Sequence, residues 1–287
     1  MYDILRSCHH EGDARAEATG TASLAAGAAA ILGTADPAAK AAAGRALAAA
    51  WRTGRTTIGR ARPRARPVRP DRPVLRPPKA MPKRRAFGSP AGRIALVHAL
   101  AHIELNAIDL AWDLVARFAA EDLPRAFFDD WVGVAAEEAH HFELLAGRLA
   151  DFGVAYGDLP AHDGLWEAAA ATADDLLARL AVVPLVLEAR GLDVTPEMAA
   201  RLVRIGDVQT AAILQRIYRD EIGHVAVGLR WFEHLCQTRG LDPEAVFHER
   251  VHRCFKGDLK PPFNQQARAA AGFPARYYEP LVRSEPS

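Results

Sequence analysis

Cysteine is scarce. Cys8, Cys236 and Cys254 are odd in number and show no CxxC spacing, which argues against a disulfide framework and suits a reducing cytosol. Long apolar runs are missing too. No stretch of about 18 uncharged apolar residues occurs, so no membrane-spanning helix is expected. Residues 1–15 carry charge and histidine where a signal peptide needs an apolar core, which leaves a cytoplasmic protein as the expectation. No alternating β pattern of any length appears, and the fold is predicted to be all-α. Acids are nearly absent from one region. Between Arg52 and Arg85 stand 13 Lys or Arg and a single acid, Asp71, although the whole chain is only +1. The rest of the chain is therefore strongly acidic, and the two parts should attract each other.

What is present divides into four stretches. Half of the 287 residues are apolar and a quarter charged, enough for one large domain or two small ones. Residues 1–53 are Ala-rich and predict a helical hairpin, about 12–32 and 37–53, with Asp36-Pro37 as cap and first turn. Residues 54–88 are an arm of interleaved Arg and Pro, extended and polyproline-like. So much arginine fits nucleic acid. Because the arm carries no stacking aromatics, an arm laid across an acidic bundle is the favoured reading. Residues 89–240 read as a four-helix bundle, and 241–287 as further helices and a tail.

The bundle segment carries the chemistry. Its first helix, from Ser89-Pro90 to about 119, has an apolar stripe at helical spacing that Glu104 interrupts. A carboxylate there is costly unless something pairs with it. The second helix, from Leu123-Pro124 to 151, offers two overlapping Glu-x-x-His pairs. The face with Glu138 and His141 also carries Trp131, Val134, Phe142, Leu145 and Leu149, whereas the face with Glu137 and His140 carries Asp130 and Arg148. Glu138 and His141 are therefore the chosen pair. A third helix, starting near 165 or 174, is predicted to kink at Pro184, carry Glu188 on its apolar face, and stop at Gly191. A short helix follows Pro196, then a long one over about 206–237 with Glu221 and His224 facing inward. Segments 242–256 and 263–272 complete the helices.

At helical pitch a Glu and a His three residues apart point the same way and can bind one ion. Two such pairs, each preceded by a lone Glu on an earlier helix, give the ligand set of a dinuclear centre in a four-helix bundle, as in ferritin-like di-iron and di-manganese carboxylate proteins. The spacing repeats: 34 residues from Glu104 to Glu138, 33 from Glu188 to Glu221. The alternative is that these acids form structural salt bridges with Arg148, Arg190 or Arg216. Asp109, Asp113, Asp207 and Asp220 are candidates to orient the ligand histidines. His98, His102, His248 and His252 read as ordinary core or surface histidines, and His162 and Asp163 as loop caps or the lining of an entrance. Tyr218, one turn before Glu221, is a redox candidate but fits a packed core better.

The segments Gly-Ser-Pro-Ala-Gly-Arg (88–93), Ala-His-Ile-Glu-Leu-Asn-Ala-Ile-Asp-Leu-Ala-Trp-Asp (101–113), Glu-Ala-His-His-Phe (138–142), Tyr-Gly-Asp-Leu-Pro-Ala-His-Asp-Gly-Leu-Trp (156–166), Glu-Ala-Arg-Gly-Leu-Asp-Val-Thr-Pro (188–196) and Asp-Glu-Ile-Gly-His-Val (220–225) resemble the DUF455 family of ferritin-like proteins, over about residues 60–275. The resemblance implies a ferritin-like bundle with Glu104, Glu138, His141, Glu188, Glu221 and His224 as ligands. It implies no reaction. A more distant likeness, in the ligand pattern alone, is to tRNA-hydroxylating di-iron monooxygenases. The expectation is therefore two Fe ions, or Mn and Fe, per chain and an O2-activating oxidoreductase acting on a small-molecule or RNA-borne substrate. An electron-donor protein and a homodimer are among the expected partners, and a membrane is not. Metal binding without turnover (storage, sensing or scaffolding) and RNA binding through the arm are the alternatives.

Overall fold

The first-turn N–H groups of a helix lack partners, and here side chains supply them at the sites the sequence marks. Ser89 Oγ accepts from Gly92 N at 3.1 Å, and Asp36 Oδ1 from Ala39 N at 2.7 Å, each with Pro in the first turn. Asp207 Oδ1 accepts from Thr210 N at 3.1 Å. A computed structural model describes residues 23–81 and 88–282. Among the described residues the fold is all-α with no strand, as expected; one isolated bridge joins Leu75 and Ala161.

The N-terminal hairpin is α1 (Leu24–Leu32) and α2 (Pro37–Arg52), and the part of the expected first helix before residue 23 lies outside the described residues. The long helices are α3 (Pro90–Arg117), α4 (Arg125–Asp151) and, after the short α5 (Gly164–Ala170) and α6 (Leu176–Val182), α7 (Ala189–Arg204) and α8 (Val208–Thr238). The C-terminal helices are α9 (Pro243–Cys254), α10 (Gln265–Ala270) and α11 (Ala275–Tyr278). α3 packs on α4 and α7 on α8; α1 covers α3, and α2 covers α4. Trp112 and Trp131 are fully buried in the core these helices share. Each such side chain contributes roughly 2–3 kcal/mol on leaving water. α3 is long and apolar enough to cross a membrane, but 72% of that stretch is buried inside the protein, so its apolarity serves the core.

The third helical arm departs from the sequence reading. Between α6 and α7 the backbone makes a π-helical turn, Val183–Glu188, containing Pro184 and ending on Glu188. π-turns inside α-helices are rare and concentrate at functional sites. The helix does not stop at Gly191: α7 runs through it to Arg204, with Pro196 inside. Gly191 keeps a negative φ, so it does not cap. Pro196 removes the N–H that would bond to the carbonyl of Leu192, and Asn264 Nδ2 donates to that carbonyl instead, at 3.1 Å. The partner comes from 72 residues downstream, and local sequence cannot reveal it.

The arm lies on the bundle. Val68 N donates to Leu32 O at 2.7 Å, Arg117 Nη2 to Arg64 O at 3.1 Å, and Arg76 N to Ala161 O at 2.8 Å. Arg69 reaches Asp109 at 3.1 Å, and Lys40 from α2 reaches the same acid at 2.5 Å. Breaking such a buried pair from one side costs about 3–5 kcal/mol, because it strands the other charge. The loop after α4 closes over α3. Gly157, at φ +107°, lets this loop pass close to Arg72 and donates its N–H to His98 Nε2 at 2.9 Å. His102 Nε2 sits 3.0 Å from the carbonyl of His162 and must donate to it. Its Nδ1 therefore accepts from the Tyr156 hydroxyl at 2.8 Å. Both histidines are structural, as their sequence setting suggested.

Candidate metal centre

The glutamates chosen as ligands in the sequence face inward. Glu104 is 4% exposed on α3, Glu138 is fully buried on α4, and Glu221 is 8% exposed on α8. One turn beyond the last two, His141 and His224 are buried as well. Glu188 closes the π-turn with its Oε2 buried. Glu104, Glu138, His141 and Glu221 form a buried cluster that can hold a metal ion; their candidate ligand atoms lie within 4.8 Å of one another.

Glu138 is the middle of the arrangement. Its Oε2 lies 3.3 Å from His141 Nδ1, and its Oε1 lies 3.0 Å from His224 Nδ1. Glu104 Oε2 is 3.4 Å from His141 Nδ1, and Glu221 Oε1 is 3.6 Å from His224 Nδ1. Both Nδ1 atoms thus face the carboxylates. Both Nε2 atoms are tied outward: His141 to Asp220 Oδ2 at 3.1 Å, and His224 to Glu137 Oε2 at 2.8 Å. Asp220 is in turn held by Arg216 Nε at 2.6 Å.

Acids and imidazoles crowded together away from water shift one another's proton affinity. Burial pushes the Glu104 carboxyl far above the usual carboxylate range, and the neighbouring Glu138 charge adds to the rise. Burial, then the charges of Glu221 and Glu138, do the same to Glu188. Glu221 is raised by burial and by Glu138. Burial alone would also raise Glu138, but His224 and His141 outweigh it and hold this carboxylate ionised. Burial disfavours the charged form of His141, yet Glu104 and Glu138 overcome it and raise the imidazole to about 11. His224 is likewise lifted, by Glu221 and Glu138 against burial. Glu188 Oε2 and Glu221 Oε2 are buried without a hydrogen bond, while Glu138 Oε1 with His224 Nδ1 and Glu104 Oε2 with His141 Nδ1 are ion-paired without hydrogen-bond geometry. Buried polar atoms nearly always find a hydrogen bond. Buried carboxylate oxygens gathered around imidazole nitrogens are a donor set that fits a metal ion.

The salt-bridge alternative does not describe these acids. Arg148 pairs with Asp151 and Asp207, Arg190 with Asp193, and Arg216 with Asp220. Of the four orienting candidates, only Asp220 reaches a histidine of the cluster. Asp109 is taken by Lys40 and Arg69, Asp113 by Arg117 and Arg179, and Asp207 by the α8 cap and Arg148. Sequence reasoning missed Glu137, which it weighed only as a rival ligand beside His140. The signal was available: an acid directly precedes both Glu138 and Glu221. Tyr218 is a packing residue whose hydroxyl accepts from Asn264 Nδ2 at 3.1 Å.

A cavity of about 230 Å³ reaches the cluster between α3, α7 and α8. Glu104, Glu188 and Glu221 line it, with Leu, Ile, Val and Met side chains making most of the remaining wall. His162 lines it as well, and its Nδ1 also accepts from Gly164 N at 3.3 Å; Asp163 turns away to pair with Arg66.

Fold and cluster together define an all-α bundle protein with a buried site of carboxylates and imidazoles. The chain belongs to the family described as "Protein of unknown function (DUF455)", whose model matches residues 33–279, a longer span than the sequence motifs marked. It is also similar to an uncharacterized protein of Haemophilus influenzae, 46% identical over a 213-residue alignment that covers 71% of this chain and 72% of the relative. No solved structure matches.

Proposed function

We propose that Glu104, Glu138, His141, Glu188, Glu221 and His224 hold a pair of redox-active divalent ions, iron or manganese with iron, in a ferritin-like carboxylate centre, and that the protein is an O2-activating oxidoreductase. The observation that carries this reading is the doubled geometry at Glu138. Each of its oxygens faces one imidazole Nδ1, with Glu104 beside His141 and Glu221 beside His224, so these residues would hold the ions on either side of Glu138. Four carboxylates offset the charge of two divalent cations. Such ions, when bound, supply the electrons and open coordination positions for O2 chemistry.

The chain's own residues do the rest. Asp220 and Glu137 hold the proton on each Nε2, which fixes the tautomer and leaves Nδ1 as the donor atom. The apolar wall of the cavity keeps water from the site, which strengthens every charge interaction inside. A cavity that ends on carboxylates favours turnover over storage. The proposal includes an electron-donor protein as partner and a cytosolic setting. The test is oxygen uptake by iron-reconstituted protein supplied with a chemical reductant. Reductant-dependent uptake that is lost in the Glu138→Ala/Glu221→Ala variant supports the oxidoreductase. Iron-loaded protein that consumes no O2 above the variant's rate overturns it in favour of metal binding without turnover.

A further inference from the structure

The cavity above the cluster also has a chemistry of its own. Its deep end and its mouth can be told apart by exposure. Glu104 and Glu221 are nearly inaccessible, whereas Ile103 is 36% exposed and the Arg190 side chain 41%. Between these ends the wall is aliphatic. The one guanidinium at the mouth is engaged: Arg190 Nη1 donates to Lys260 O at 2.7 Å and pairs with Asp193 at 3.4 Å. An anionic ligand would therefore lie against an aliphatic wall and find no uncommitted arginine among the described lining residues. A nucleobase would find no stacking platform, because His162 is the only aromatic ring among them. The volume sets the size. A cavity of about 150 Å³ holds benzene, so 230 Å³ admits roughly ten non-hydrogen atoms.

From this we infer that the ligand taken by the site is a free, uncharged, predominantly apolar small molecule, which enters beside Ile103 and lies against Glu104, Glu188 and Glu221. Gly191 borders this space. It lines the cavity from α7, and a Cβ placed there meets no atom within 4 Å. A larger side chain at this position extends into open space. The inference names the substrate class of the proposed centre and rests on that reading for its consequence, but the binding it describes needs no metal.

Met198 provides a direct readout, since it lines the cavity and is one of only three methionines in the chain. Full-length protein labelled with ¹³C at the methionine methyls is titrated with toluene, with benzoate and with adenosine. The Met198 signal is assigned through Met198→Leu. Expected is a saturable shift of the Met198 resonance with toluene, little change with the other two, and loss of the response in Gly191→Leu. Leu is a better helix former than Gly, which favours the α7 helix in this variant. Ala107→Leu, from the α3 wall, provides a second blocked cavity, and the melting temperature of each variant is measured beside it. No saturable toluene shift, an equal response to benzoate or adenosine, or an unchanged response in both blocked variants overturns the inference. Metal content of the same samples separates the two claims. Bound metal without a Met198 response removes the ligand class and leaves the centre, and a response without metal does the reverse.

Discussion

Glu137 of α4 hydrogen-bonds His224 of α8 at 2.8 Å, while Asp220 of α8 hydrogen-bonds His141 of α4 at 3.1 Å. The two contacts are a crossed pair. On each helix the acid just before the inward glutamate turns out and takes the far nitrogen of the other helix's histidine. The arrangement follows from helical geometry. Residues one apart differ by about 100° around the axis. An acid beside an inward glutamate therefore points along the helix–helix seam, where the neighbouring histidine presents its Nε2.

Removing one of these outward acids leaves every proposed ligand in place and frees one imidazole to turn. Glu137→Ala and Asp220→Ala should each weaken metal affinity by about 10–100-fold without abolishing binding. Competition with a chelator of known affinity measures this. Wild-type affinity in both variants would mean that the outward contacts do not orient the histidines.

The π-turn that delivers Glu188 rests on a glycine. A Cβ on Gly228 of α8 would lie 2.5 Å from the Cβ of Pro184, inside any permissible contact. Gly228→Ala should push the turn away, cost about 1–3 kcal/mol of stability and reduce the metal bound per chain. Gly223 is the internal control. It lies on the exposed side of the same helix with nothing within 4 Å, and Gly223→Ala should stabilise by roughly 0.5–1 kcal/mol with metal content unchanged. Thermal melts and metal analysis of the two variants provide the comparison. Equal effects of the two substitutions would remove the turn's positioning role.

His98 gives the loop over α3 a pH dependence. Burial lowers its pKa below the usual 6.5, and the opposing charge of Asp158 does not restore it. The folded state thus binds fewer protons at His98 than the unfolded state does below pH 6.5. The contribution is complete above 6.5 and is lost as pH falls from there toward the lowered folded value. Urea unfolding of the wild type should weaken between pH 7.5 and 5 more steeply than that of His98→Gln, in which the amide oxygen can still accept from Gly157 N. Parallel pH profiles would show that His98 does not titrate on unfolding.

Periodicity and turn residues were enough to read α2, α3, α4 and α8, because Ser89 and Asp36 cap locally and Glu104, Glu138 and Glu221 interrupt apolar stripes. The choice of Glu138 over Glu137 rested on one face being apolar, and the structure buries Glu138 fully while Glu137 stays half exposed. What could not be read depends on distant partners. Gly191 and Pro196 look like a helix end, and only Asn264, folded back from beyond α9, makes a continuous helix affordable there. Asp109 and Asp113 share their helix with Glu104 and looked equally able to reach the histidines. Lys40 and Arg179, from distant elements, claim them instead.

The most direct test of the metal centre is the metal content of tag-free protein from cells grown with iron and manganese, set beside the Glu138→Ala/Glu221→Ala variant. About two ions of iron or manganese per chain, lost in a variant that still melts cooperatively, is the expected result. Wild-type protein that binds no metal, even after anaerobic reconstitution with iron, would contradict the centre and leave the six residues as a buried, proton-filled core.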